Sequence, residues 1–303
     1  MRIKKILPVC VLACCLAALA VPAAYADGCP DKEIAAETAK LKKAEDHEKA
    51  GKPKEAFNAA RNVAWECLGN DAGKRREGII KRTGRTLGDQ EEKQGRLKEA
   101  FDWYQSAGLE ADADRVMLKR ASAKPDDTNT ISHAIEHFKR RNDEARVKEM
   151  RGVAARNVDK WLAAEEKAFA ARKDSREELG KARDWVYYAG TGADKVAGRA
   201  EKRGDTLAAD NARRPIENAI AYYEFAEKPQ KAKSVRDKAR KLGDEHAGKG
   251  ENRLAVEFYQ IAGDSNKAAA LEKKSEAEKQ KTESARQDKF KKDQQSLEKE
   301  LGL

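Results

Sequence analysis

One helical motif recurs along this 303-residue chain, and it restricts the fold more than any other feature. Its best copies are Ala100, Trp103, Tyr104, Ala107, then Gly108, and Ala255, Phe258, Tyr259, Ala262, then Gly263. A third is Ala219, Tyr222, Tyr223, Ala226, then Glu227, and a fourth is Ala182, Trp185, Val186, Ala189, then Gly190. Weaker copies are Ala134, His137, Phe138, Arg141 and Ala56, Ala59, Ala60, Val63. Offsets of 0, 3, 4 and 7 place these residues on one helical face. Alanine at both ends admits a neighbouring helix closely, and the central rings fill the space between hairpins. The copies lie about 34 to 48 residues apart, the range of helix-turn-helix repeats. A second helix is expected after each, marked by Ala113/Val116, Ala145, Ala193/Val196, Ala232/Val235 and Ala268/Leu271. No hairpin of this kind buries enough to stand alone, so stability must come from stacked neighbours.

Composition agrees with a thin, alanine-mediated core. Charged residues make up 38% and aromatics 6% of the chain, which excludes one thick core of the kind a compact enzyme domain of this length has. Helix formers dominate, proline is scarce and nothing alternates like a strand, so the expected class is all-α.

The repeat resembles the tetratricopeptide repeat. In that family a Leu-Gly pair lies twelve residues before an alanine that opens an Ala-x-x-x-Tyr/Phe-x-x-Ala helix, with a turn glycine five residues before that alanine. Leu87-Gly88, Gly95, Ala100, Tyr104 and Ala107 match, as do Leu242-Gly243, Gly250, Ala255, Tyr259 and Ala262. Gly51 with Ala56, and Ala219 with Tyr223 and Ala226, match in part. The closing proline of the family is missing. The spacing between Ala134 and Ala219 is irregular and includes an extra helix near Asn157 to Arg172. The expected architecture is a solenoid of about six antiparallel hairpins over residues 27–271, followed by a charged helical tail, residues 272–303. In the tail only Phe290, Leu297 and Leu301 make an apolar stripe, and it reads as a long solvated or frayed helix, or as a short coiled-coil or partner-binding helix.

The first 26 residues read as an export signal. Arg2, Lys4 and Lys5 precede an apolar core, Ile6 to Val21, and Ala24-Tyr25-Ala26 is a small-x-small cleavage site. Lipid attachment at Cys14 and an uncleaved anchor are the alternatives. Nothing later is apolar enough to span a membrane. Cleavage removes three cations from the formal +10, leaving about +7 spread over mixed-sign stretches. That excess reads as a solvated helical surface or as attraction to an anionic protein, lipid or glycan.

Two cysteines remain after cleavage, Cys29 and Cys67, in an oxidising compartment. A helix over Lys32 to Ala50, a turn at Gly51-Lys52-Pro53 and a second helix over Lys54 to Leu68 would bring them together as a structural disulfide; two free buried thiols are the alternative. No Cys-x-x-Cys suggests redox chemistry.

One motif could mean catalysis. His133-Ala-Ile-Glu136-His137 resembles the inverted zinc-protease signature, with Glu217 at roughly suitable separation for a third ligand. The competing reading makes His137 a polar substitute for a packing aromatic, since it stands at the repeat position of Trp103. Trp185, Tyr187 and Tyr188 near Lys181 and Arg183 could resemble a nucleic-acid platform, but Trp185 sits at a repeat position and export argues against that ligand. The expectation is therefore a non-enzymatic protein of the bacterial envelope, periplasmic or secreted, with no cofactor, no metal and no nucleic-acid partner. The resemblance implies binding of an extended peptide or partner protein in a groove lined by first helices. The basic residues expected there are Lys81, Arg85, Arg115, Lys119, Arg199, Lys202, Arg236 and Arg240. A holdase-like chaperone or a structural spacer is the alternative.

Overall fold

The computed structural model describes residues 28–301. The expected export signal, residues 1–26, and with it Cys14, lies outside the described residues. Among the described residues there are thirteen α-helices, one short 3-10 turn and no strand. In chain order they are α1 (Asp31–Lys49), α2 (Pro53–Arg61), the 3-10 turn (Trp65–Cys67), α3 (Asn70–Lys93), α4 (Leu97–Ser106) and α5 (Glu110–Ala123). Next come α6 (Thr128–Arg140), α7 (Glu144–Ala170), α8 (Arg176–Ala189), α9 (Ala193–Ala208) and α10 (Arg213–Phe225). The last three are α11 (Pro229–Gly248), α12 (Asn252–Ala262) and α13 (Ser265–Leu301).

All six copies of the repeated face fall on the even-numbered helices. Ala56, Ala100, Ala134, Ala182, Ala219 and Ala255 are each fully buried, and Tyr104, Phe138, Trp185, Tyr223 and Tyr259 are buried beside them. Trp103 is half-buried, edge-on to Phe57 with ring centres 5.2 Å apart. Consecutive helices pack on one another from α1 to α4 and again from α6 to α13. The chain falls into two compact units divided between Arg120 and Ala121, in the last turn of α5. The first has its core around Leu41, Phe57, Ile79, Ile80 and Leu87. The second is cored by Ile216, Tyr223, Val235 and Phe258, with Tyr259, Val256 and Ala268 alongside.

Local chemistry sets the helix ends. Pro53 and Pro229 open α2 and α11, where the missing N–H is no loss. Asp127 and Asp143 cap α6 and α7 by accepting from the backbone N–H groups of Thr130 and Arg146. The residue that follows five of the six repeat copies turns left-handed, as Gly263 does at φ 73°; Ala64, after the first copy, does not, at φ -80°. Glu227 and Asn142 adopt the same turn at φ 57° and 56°, although neither is glycine.

Several expectations need correction. The second helix ends at Arg61, not Leu68, and the chain then tightens into the 3-10 turn. Buried Glu37 on α1 accepts the Ala64 N–H at 2.8 Å, and Trp65 packs so closely on α3 that a Cβ at Gly73 would lie 2.7 Å from its ring. These contacts hold the chain in that turn and carry Cys67 to Cys29; the two are bonded, with Cα atoms 5.4 Å apart. The extra helix expected near 157–172 is the second half of α7, which runs unbroken for 27 residues because no proline interrupts it. Ala145 and Ala193 are exposed, and Val147, Met150, Val196 and Ala200 bury those helices instead. The tail is continuous with the last hairpin: α13 runs 37 residues, packing through Ala268 and Leu271 and leaving Phe290 70% exposed.

Candidate functional site

Three joints of one design position the surfaces. Each begins with a Gly-Asp pair on a long helix. A Cβ at Gly88, Gly204 or Gly243 would lie 2.5, 2.8 or 2.8 Å from the ring of Tyr104, Tyr223 or Tyr259. Bare backbone is therefore what lets each ring lie flat on the helix. The tyrosine hydroxyl then donates to the adjacent aspartate: Tyr104 to Asp89 at 2.6 Å, Tyr223 to Asp205 at 2.7 Å and Tyr259 to Asp244 at 2.8 Å. A cation from the next helix closes the joint over the ring. Lys231 bonds Asp205 at 2.8 Å, Lys267 bonds Asp244 at 2.6 Å, and Arg115 grips Glu92 with two bonds of 2.7 and 2.8 Å. Their charged ends sit 5.5, 5.3 and 5.9 Å from the ring centres, at the outer reach of cation–π attraction.

The charges respond accordingly. Hydrogen bonding from Lys231 and Lys267 holds Asp205 and Asp244 below the usual carboxylate range. Arg115 lowers Glu92 to about 2. Burial, aided by the aspartates, pushes the Tyr223 and Tyr259 hydroxyls up to about 12. Sequence reasoning found Gly88 and Gly243 through the resemblance but missed the aspartates and Gly204. The recurring Gly-Asp dipeptide 16 to 19 residues before a tyrosine was the available signal.

The eight basic residues expected to line a groove lie four on each unit, and seven are tied to carboxylates of the chain itself. Lys81 pairs with Glu77 at 2.5 Å, Arg85 with Asp112 at 3.1 Å, and Arg115 and Lys119 share Glu92. Arg199 reaches Glu165 and Glu166, Arg236 reaches Glu224, and Arg240 joins Asp237 at 2.7 Å and Asp264 at 3.3 Å. Lys202 is exposed on α9.

The His133–His137 segment lies on α6. His137 is buried, edge-on to Phe138, whereas Glu136 is exposed and held by Lys139 at 3.0 Å. Neither histidine is grouped with Glu217 at ligand distance among the described residues. One triad is close enough for a metal, Cys29, Glu33 and Cys67, but its sulfurs are bonded to each other. Of the aromatic group on α8, Trp185 is buried, Lys181 covers Trp161 at 4.6 Å and Arg183 covers Phe225 at 4.4 Å. Tyr187 alone stands 83% exposed.

The second unit carries two clefts on either side of α10. One, about 450 Å³, is lined by Arg176, Arg213 and Arg236 against Glu217, Glu224 and Glu257, over a floor of Ile220 and Ile261. Arg213 pairs with Glu257 at 3.2 Å, and Arg236 with Glu224. The other, about 620 Å³, lies beside Phe169 and Tyr222. Behind it Arg203 bonds buried Glu165 at 2.8 and 3.1 Å, and Ser175 links Glu165 to Tyr222 at 2.9 and 2.8 Å. No described helix is long and apolar enough to cross a membrane. No family model matches the chain, and no curated protein matches it.

Proposed function

We propose that this chain is an exported, non-enzymatic interaction protein of the bacterial envelope, a degenerate tetratricopeptide-like stack that holds an extended peptide of a partner. The observation that carries this reading is the charge-balanced cleft along α10, lined by three arginines and three glutamates together with Ile220 and Ile261. A peptide carrying both signs of charge and an apolar side chain would exchange partners with Arg213–Glu257 and Arg236–Glu224 rather than meet bare cations, so little desolvation cost separates the free and bound states. Of the eight expected residues, only Arg236 lies in this cleft. A photo-crosslinker at Gln260, introduced in intact cells, should capture a discrete partner that is lost in the Arg213→Glu/Arg236→Glu variant. An identical capture pattern from exposed Lys42 would contradict the reading. Cleavage at Ala26 is tested by the N-terminal mass of the exported protein, and an acylated Cys14 would overturn it.

The holdase or spacer reading is favoured by a different observation, the long extension of α13 with Phe290 and Leu297 in solvent. Suppression of the aggregation of an unrelated unfolded protein, lost on removing residues 275–303, would support it. Zinc hydrolysis fits poorly with Glu136 turned to Lys139. Stoichiometric zinc in dialysed protein, lost in His137→Ala, would restore it.

A further inference from the structure

The larger cleft of the second unit differs in chemistry from the one assigned to the peptide. Its walls are apolar and ring-bearing: Phe169 with Leu207 and Pro215, backed by the buried ring of Tyr222, which lies edge-on to Phe169 at 6.4 Å. Its rim carries three cations, Arg172, Lys173 and Arg214. Among the described residues none of the three is paired with a carboxylate, although two aspartates lie beside them. Asp174 is taken by Arg176 at 2.9 and 3.1 Å, and Asp210 accepts the Ala212 N–H at 2.8 Å. Arg203 cannot serve as the cation of this site, because Glu165 and Glu166 hold it and its guanidinium lies 4.1 Å from the Phe169 ring centre.

The walls are also fixed before any ligand arrives. The Tyr222 hydroxyl is tied to the Ser175 Oγ at 2.8 Å and accepts the Ser175 N–H at 3.1 Å, and buried Glu165 accepts from the same Oγ. A rigid aromatic corner with unsatisfied cations at its mouth suits a ligand with two parts. The apolar part displaces water from Phe169, Leu207 and Pro215, and the anionic part meets the rim. At about 620 Å³ the space suits a body of one or two fused rings, not a polymer.

We infer that this cleft binds a small aromatic carboxylate, its ring system against Phe169, Leu207 and Pro215 and its carboxylate between Arg172 and Arg214. The site does not depend on the peptide reading, since its three cations are not among the residues of the neighbouring cleft, with which it shares only Asn218.

The test is calorimetric titration of the full mature protein with 2-naphthoate at low salt. Saturable one-to-one binding is expected, at least tenfold weaker for the neutral isostere 2-naphthylmethanol and at least tenfold weaker in Arg172→Gln/Arg214→Gln. Both arginines are exposed and outside any ion pair, so that variant should melt as the parent does. Lys42→Gln/Lys43→Gln removes two exposed cations from the first unit and should leave the affinity unchanged. Absence of binding at 5 mM ligand (about the weakest affinity such a site could usefully have), equal binding of the alcohol, or equal weakening by the lysine pair would each overturn the inference.

Discussion

Tyr104, Tyr223 and Tyr259 each occupy a position where three helices meet, and their surroundings make predictions that single substitutions can check. Adding a methyl at Gly243 would force the Tyr259 ring off its helix, so Gly243→Ala should cost about 1 to 3 kcal/mol in urea unfolding of the protein. A cost near zero would show that the ring does not rest there. Glu227 is the opposite case. It occupies a left-handed turn at φ 57° where an L side chain is disfavoured, so Glu227→Gly should stabilise by about 0.5 to 1 kcal/mol. The joints also fix the pH response. Glu92, Asp205 and Asp244 have folded pKa values below their unfolded ones, so their contribution is complete above the ordinary carboxylate range and disappears as pH falls. For Glu92 the loss runs from about 4.5 down to about 2. Acid unfolding followed by circular dichroism should shift to a flatter profile in Glu92→Gln. At the alkaline end the raised tyrosines act in the other sense. Their contribution is present below pH 10 and is lost as the pH rises toward about 12.

At the scale of elements, the repeated face was legible because it is written in local spacing: alanine and an aromatic ring at offsets 0 and 4 mark the buried stripe at Ala100/Tyr104, Ala134/Phe138, Ala219/Tyr223 and Ala255/Tyr259. The ends of elements were less so. Lys54 to Leu68 has helical composition throughout, but Glu37 and Gly73, 27 and 8 residues from their contacts at Ala64 and Trp65, draw it into a tight turn. The stretch near 157–172 was read as an extra helix, whereas Val158 and Leu162 simply extend the buried face of α7. The basic residues were the least readable. Their carboxylates come mostly from neighbouring helices, as Arg115 and Lys119 take Glu92 from 23 and 27 residues away, and no local pattern announces such pairing. The disulfide closes a loop of 38 residues, which in the chain-entropy account is worth roughly 3 to 4 kcal/mol. Reduction, or Cys29→Ser/Cys67→Ser, should therefore lower the unfolding midpoint of the first unit and leave the second unchanged. Equal loss in both would contradict the division of the chain at Arg120.

The whole molecule rests on neighbour-to-neighbour burial, since no helix here is apolar enough to hold itself. Within the second unit that burial runs from α6 through the start of α13 and then thins out, Ser275 in its third turn being the last described residue that is not fully exposed. Deleting residues 280–303 should leave the unfolding midpoint within about 2 °C, because the described surface it removes was already in water. Native-state hydrogen exchange reads the same claim along the entire chain in one experiment. The account predicts that amides around Ala219–Tyr223 and Ala255–Tyr259 exchange only with global opening of their unit, while those of residues 280–295 exchange orders of magnitude faster. Equal protection in the two regions would mean that the far part of α13 is held by contacts of its own, and the dependence of each helix on its neighbour would fail as the explanation of this fold.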